Sequence, residues 1–86
     1  MGKHEKLLLK ILSGSSDRNI GFDDIRNFLE RIGFKEYIRG SHHLFRKEGV
    51  EEKINLQKEG NNAKPYQVKQ VRNVIQKYGL GGLSDV

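Results

Sequence analysis

The sequence contains no cysteine and no tryptophan, and its 86 residues include a single proline. Without cysteine, neither a disulfide framework nor a Cys-ligated zinc site can form, which excludes the usual reinforcements of small secreted domains and favours the cytoplasm. The longest uninterrupted apolar segment is Leu7 to Leu9, far shorter than the ~20 residues of a membrane-spanning helix. We therefore expect no membrane segment and no secretion signal.

The length and the low hydrophobic content, 35%, predict one small domain over residues 1–86, because a chain this short has room for a single core. Lysine and arginine outnumber acidic residues by 16 to 11, a net charge of +5. This charge favours a polyanionic partner, with nucleic acid ahead of a membrane surface.

The positive charge is concentrated near the carboxyl end of the chain. Residues 60–86 carry Lys64, Lys69, Arg72 and Lys77 against Asp85, which accounts for three of the five net charges. These side chains are candidate phosphate ligands. They are equally compatible with an ordinary solvated helix face.

Helical periodicity appears in three segments. The first covers residues 3–13 and ends in the polar stretch 13–16. The second begins after Gly21, has Asp23 and Asp24 in its first turn, and stops at Gly33. The third begins at Pro65, a residue favoured in the first helical turn. The apolar positions of the second and third helices are Phe22, Ile25, Phe28, Leu29, Ile32, Val68, Val71, Val74, Ile75 and Tyr78.

Residues 34–57 have a period of two and predict three antiparallel strands. Gly40-Ser41 is typical of a type II′ turn, which sets Arg39 opposite His42 and Tyr37 opposite Leu44. A second turn at residues 48–51 leads to a third strand at residues 53–57. The predicted fold class is α+β, with a three-stranded meander packed against helices on one face.

Histidines are the principal catalytic candidates. His4 lies near the amino end, where we expect a surface position. His42 and His43 are adjacent on a strand and point to opposite faces, so they cannot jointly chelate a metal ion. The sequence therefore predicts no metal site and no cofactor.

The bulk of Ile38 and Phe45 indicates that they face the helices, which makes His43 partly buried and exposes His42 beside Arg39. The apolar pair Tyr37 and Leu44 on the other side leaves the reverse orientation open. An exposed neutral imidazole can take the proton of a ribose 2′-hydroxyl without a metal ion. The nearby cations are candidates to stabilise the attacked phosphate; they are Arg39, Lys53 and Lys64.

The segment Gly40-Ser41-His42-His43-Leu44-Phe45-Arg46 follows a helix that ends in Ile32-Gly33-Phe34. In this order the motif resembles the HicA (YcfA-like) toxins of bacterial type II toxin-antitoxin systems, over residues 20–80. The resemblance implies a fold like a double-stranded-RNA-binding domain (dsRBD-like) and an mRNA endoribonuclease activity. It also implies a metal-independent mechanism centred on His42, and neutralisation by a HicB-type antitoxin. The expected RNA ligands are Arg39, Ser41, Lys53, Lys64, Lys69 and Arg72.

Three features depart from the family. The helix at residues 3–13 is an N-terminal extension of unknown role. Many members carry Pro-x-His-Gly after the third strand, where residues 55–60 read NLQKEG, and Lys-Pro-Gly-Thr before the last helix, where residues 64–67 read KPYQ. The family motifs that would mark a second catalytic or phosphate-binding group are thus missing from these two segments.

Two other functions remain open. A non-catalytic RNA-binding module of the same fold would use the basic residues without needing His42. A purely protein-binding domain would make the charge incidental and would not bind RNA at low salt. For the toxin we expect a monomer, with the antitoxin docking on the face that carries His42, Tyr37 and Leu44.

Overall fold

A computed structural model describes residues 2–80 of the chain. They form a small α+β domain with three helices, a three-stranded antiparallel sheet of order β1-β2-β3 and a two-stranded sheet β4-β5. The elements are α1 (Lys3–Ser13), a 3-10 turn (Asp17–Asn19), α2 (Phe22–Arg31), β1 (Lys35–Arg39), β2 (His42–Lys47), β3 (Val50–Leu56), β4 (Lys58–Glu59), β5 (Asn62–Ala63) and α3 (Pro65–Tyr78). The loose tail predicted at residues 81–86 lies outside the described residues.

The ends of α2 follow the local signals in the sequence. Gly21 caps the helix in an extended conformation, with Asp23 and Asp24 in the first turn. At the other end Gly33 has φ 107, and the Phe34 amide donates to the Leu29 carbonyl at 3.0 Å. This is the predicted glycine stop, which satisfies a carbonyl at the helix end.

The predicted register of the hairpin is confirmed. Arg39 pairs with His42, and Tyr37 pairs with Leu44. Gly40 has φ 57 and Ser41 has no positive φ, as a type II′ turn requires. β3 begins at Val50 rather than at residue 53, because the second turn occupies only residues 48 and 49.

The β4-β5 hairpin was not predicted. It turns at residues 60 and 61, and its strands pair Lys58 with Ala63 and Glu59 with Asn62. The Ala63 amide donates to the Ile20 carbonyl at 2.9 Å, so the hairpin connects the segment before α2 to the segment before α3. The polar composition of residues 58–63 gave no alternating pattern from which these strands could be found.

All three helices contribute to one core on one face of the three-stranded sheet. α1 belongs to this core: Leu8 is 2% exposed and Ile11 is 0% exposed. The helix predicted as an N-terminal extension of unknown role therefore contributes to the core. No helix among residues 2–80 is long and apolar enough to cross a membrane.

The expectation that Ile38 faces the helices is confirmed, because its strand partner His43 pairs in turn with the buried Leu56. Ile38 is nevertheless 59% exposed, because β1 is an edge strand and α3 packs mainly on β3. The expectation for one other side chain is wrong. His4, expected on the surface, is half-buried, and its ring lies 6.4 Å from that of Phe28.

Candidate nucleic-acid interface

One face of the three-stranded sheet is not covered by the helices. Alternation along the strands places Phe45, Ile54 and Leu56 on the helix side, where all three are fully buried. The residues of opposite parity form the other side, which we call the open face. They are Lys35, Tyr37, Arg39, His42, Leu44, Arg46, Glu51, Lys53 and Asn55.

His42 is exposed at the start of β2. Its Nδ1 lies 3.2 Å from Oδ1 of Asn55 on β3, a contact that orients the ring from the neighbouring strand. When Nδ1 donates this hydrogen bond to the amide oxygen, Nε2 carries the lone pair and is the atom able to accept a proton. The imidazole is thus exposed, and in this tautomer its Nε2 can act as a proton acceptor.

The open face has a positive charge that no carboxylate among residues 2–80 neutralises through a salt bridge. Within residues 2–80, Lys35, Arg39, Arg46 and Lys53 have no carboxylate at salt-bridge distance. Glu51 is the acidic residue that also lies on the open face. Arg39 lies directly opposite His42, so a phosphate bound beside the imidazole would also lie within reach of a guanidinium.

The predicted RNA ligands separate into two groups in the structure. Arg39 and Lys53 share the open face with His42, and Ser41 is exposed in the turn beside them. The other predicted ligands belong to the helix side of the domain: Lys64 caps α3, and Lys69 and Arg72 lie on that helix.

Arg72 is engaged inside the protein. Its Nη1 donates to Asp17 Oδ1 at 2.8 Å and to the Ile11 carbonyl at 3.2 Å. Lys77, which also contributes to the positive charge of the last third, pairs with Glu52 at 2.9 Å. The basic character of α3 is therefore partly used to connect it to α1, the 3-10 turn and β3.

The structure also shows a charged cluster that the sequence did not indicate. Arg26 of α2 donates to both carboxylate oxygens of Glu36, at 2.7 and 2.8 Å. His43 Nδ1 lies 2.7 Å from the same carboxylate. The hydrogen bond from Arg26, and then that from His43, lower the pKa of Glu36 although burial opposes this shift. Glu36 is thus held ionised between two donors.

This cluster fixes His43 on the helix side. The edge of its ring meets Phe22 at a centroid distance of 4.8 Å, and its side chain is 18% exposed. The predicted register already placed Glu36 and His43 diagonally on one face, but the arginine that completes the cluster comes from a separate helix. We interpret His43 as a packing residue that connects β2, β1 and α2.

A cleft of about 590 Å³ lies at the end of the open face remote from His42. It is bounded by the end of α2 and by the turn between β2 and β3. Its lining residues are Gly33, Lys35, Tyr37, Arg46, Lys47, Glu48, Gly49 and Val50. Three cations against one carboxylate make it a positively charged depression.

No protein-family model, curated protein or solved structure matches this chain. Within residues 2–80 there is also no group of three His, Cys, Asp or Glu side chains that could hold a metal ion.

Proposed function

We propose that this protein is a HicA-like toxin, a metal-independent mRNA endoribonuclease that acts in the cytoplasm. The observation that carries the proposal is the position of His42, which is exposed and oriented by Asn55 on a sheet face rich in unpaired cations. The order α2-β1-β2-β3-α3, with helices on one face of an antiparallel meander, supports a dsRBD-like fold.

The proposed reaction is attack of a ribose 2′-oxygen on the adjacent phosphorus. Nε2 of His42 takes the 2′-hydroxyl proton, the new P–O2′ bond forms and the P–O5′ bond breaks. The products are a 2′,3′-cyclic phosphate and a 5′-oxygen that takes a proton from water. Arg39 stabilises the charge that gathers on the phosphate oxygens, a contribution of the oxyanion-hole type.

The alternative is an RNA-binding module that does not cleave. The same cations support it, because phosphate contacts supply affinity without chemistry. We expect labelled mRNA incubated with excess protein in EDTA to yield fragments that end in a 2′,3′-cyclic phosphate. Denaturing gels and end-group analysis would measure this. A salt-sensitive mobility shift with intact RNA would favour the module, and the absence of any association at low salt would favour a protein-binding domain.

We further propose that a HicB-type antitoxin neutralises the toxin by covering the open face. Tyr37 is 53% exposed and Leu44 is half-buried there, so the face offers apolar area between its cations, as protein interfaces require. We expect antitoxin binding to shield Tyr37 and His42 from solvent, measured by hydrogen exchange across β1 and β2. A complex that leaves this hairpin unprotected would contradict the docking surface.

A further inference from the structure

We propose that the cleft beside the β2-β3 turn is a nucleotide-binding subsite for single-stranded RNA. In this subsite Tyr37 stacks on an unpaired base, and Lys35 and Arg46 bind the neighbouring phosphate. The inference rests on the proposed function for the identity of the polymer, but it does not depend on whether the polymer is cleaved.

The strand pairing itself indicates an anion at this position. Lys35 and Arg46 are directly paired across β1 and β2, and like charges directly opposite each other destabilise a sheet. Neither side chain has a carboxylate partner within residues 2–80. A phosphate between the two cations would remove this repulsion and would gain two charge-assisted contacts.

The third cation of the cleft is Lys47, and its ammonium group lies against Gly33. A Cβ added to Gly33 would lie 2.6 Å from Lys47 Nζ, so the lysine ammonium occupies space that any other residue would fill. Gly33 also has φ 107, a conformation that favours glycine. The stop of α2 and the position of this ammonium therefore depend on the same residue.

Tyr37 adds to the cations of the cleft an aromatic ring on which a base can stack. Its ring is 53% exposed on the open face and lines the cleft with the cations. Aromatic side chains beside a basic groove are the usual means of binding single strands, because every base has a face that can stack. In a duplex the bases are already stacked on each other, so the tyrosine favours an unpaired strand. An acidic peptide would pair with the cations but would not need the ring.

The spacing of the subsite from His42 predicts the length of RNA that reaches both. Arg46 lies four residues after His42 on β2, a distance of about 13 Å at ~3.3 Å per residue. A stacked strand rises ~3.4 Å along its axis per nucleotide and a stretched strand rises more, so roughly two to four nucleotide steps cover this distance, more than a dinucleotide provides. An oligonucleotide bound at His42 therefore fills the cleft only above this length.

The test is a binding series with uncleavable 2′-O-methyl oligoribonucleotides of two to eight nucleotides, measured by fluorescence anisotropy. For the longer probes we expect Lys35→Gln/Arg46→Gln to weaken binding about tenfold or more and to reduce the salt slope by about 1.4. Tyr37→Ser should weaken the same probes at least about fivefold, and this loss should disappear when the probes carry abasic residues. The dinucleotide should bind both variants as it binds wild type.

Lys6→Gln/Arg18→Gln is the matched two-charge control, because Lys6 on α1 and Arg18 in the 3-10 turn are both exposed and lie outside the open face. Equal losses for all probe lengths, or losses no greater than that of this control, would overturn the subsite. Equally tight binding of a duplex, or preferential binding of a poly-glutamate peptide, would also overturn it. Length-dependent binding in a protein that never cleaves RNA would refute the endoribonuclease but leave the subsite standing.

Discussion

Replacing His42 with alanine is expected to lower the rate of RNA cleavage by a factor of about 10² to 10⁴, the usual contribution of a positioned general base. Stability should change little, because the ring is exposed and its one recorded side-chain contact among the described residues is with Asn55. The measurement is single-turnover cleavage of a labelled mRNA in EDTA, with growth after induction as the cellular readout.

A binding measurement separates a catalytic effect from a lost phosphate contact. We expect His42→Ala to bind an uncleavable 2′-O-methyl probe within a few-fold of wild type. His4→Ala is the matched histidine control, because His4 packs on Phe28 away from the sheet, and it should cleave at the wild-type rate once its folding is verified. Equal growth arrest or equal cleavage by wild type and His42→Ala would disprove the proposed role.

Replacing Ile11 with alanine should lower the free energy of unfolding by about 2–5 kcal/mol, the cost of a large-to-small change in a closed core. Ile11 is 0% exposed although it belongs to α1, the helix whose role the sequence left unexplained. For a domain whose total stability is expected to be about 5–15 kcal/mol, such a loss is large. Urea denaturation followed by circular dichroism measures it.

Leu9→Ala is the matched control for Ile11→Ala, because Leu9 lies on the same helix and is 43% exposed. Its effect should stay near about 0.5 kcal/mol. Similar losses for the two variants would mean that α1 does not pack as the structure shows. If Ile11→Ala is as costly as expected, a shortened chain that begins at residue 20 should fold poorly, since it lacks both Leu8 and Ile11.

The sequence alone determined the elements whose causes are local. α2 could be predicted with its ends because glycines flank it and a spacing of three and four residues marks its buried side. The β1-β2 register follows from a two-residue turn, in which Gly40 supplies the positive φ. The placement of His42 and His43 on opposite faces follows from that register alone, since neighbours on a strand alternate.

Only the tertiary structure decided which charges remain free. Arg72 looked like an RNA ligand in the sequence, but Asp17, 55 positions away, receives its guanidinium. Arg26 reaches Glu36 from another element in the same way. Composition gives the number of charged side chains, whereas packing determines which of them form ion pairs. For that reason the sequence located the excess charge in the last third, whereas the structure shows four cations on the open face without a salt bridge to any carboxylate of residues 2–80.

The missing cysteines excluded a disulfide framework and a Cys-ligated zinc site, but composition could not show how so short a chain builds its core. The structure shows that α1 supplies part of it and that β5 contributes Ala63, which is 1% exposed. These contacts join segments far apart in the sequence, and no local pattern encodes such pairings. Local rules therefore determined the three helices, the β1-β2 hairpin and the candidate histidine, while long-range packing decided the β4-β5 hairpin, the core and the charged surface around that histidine.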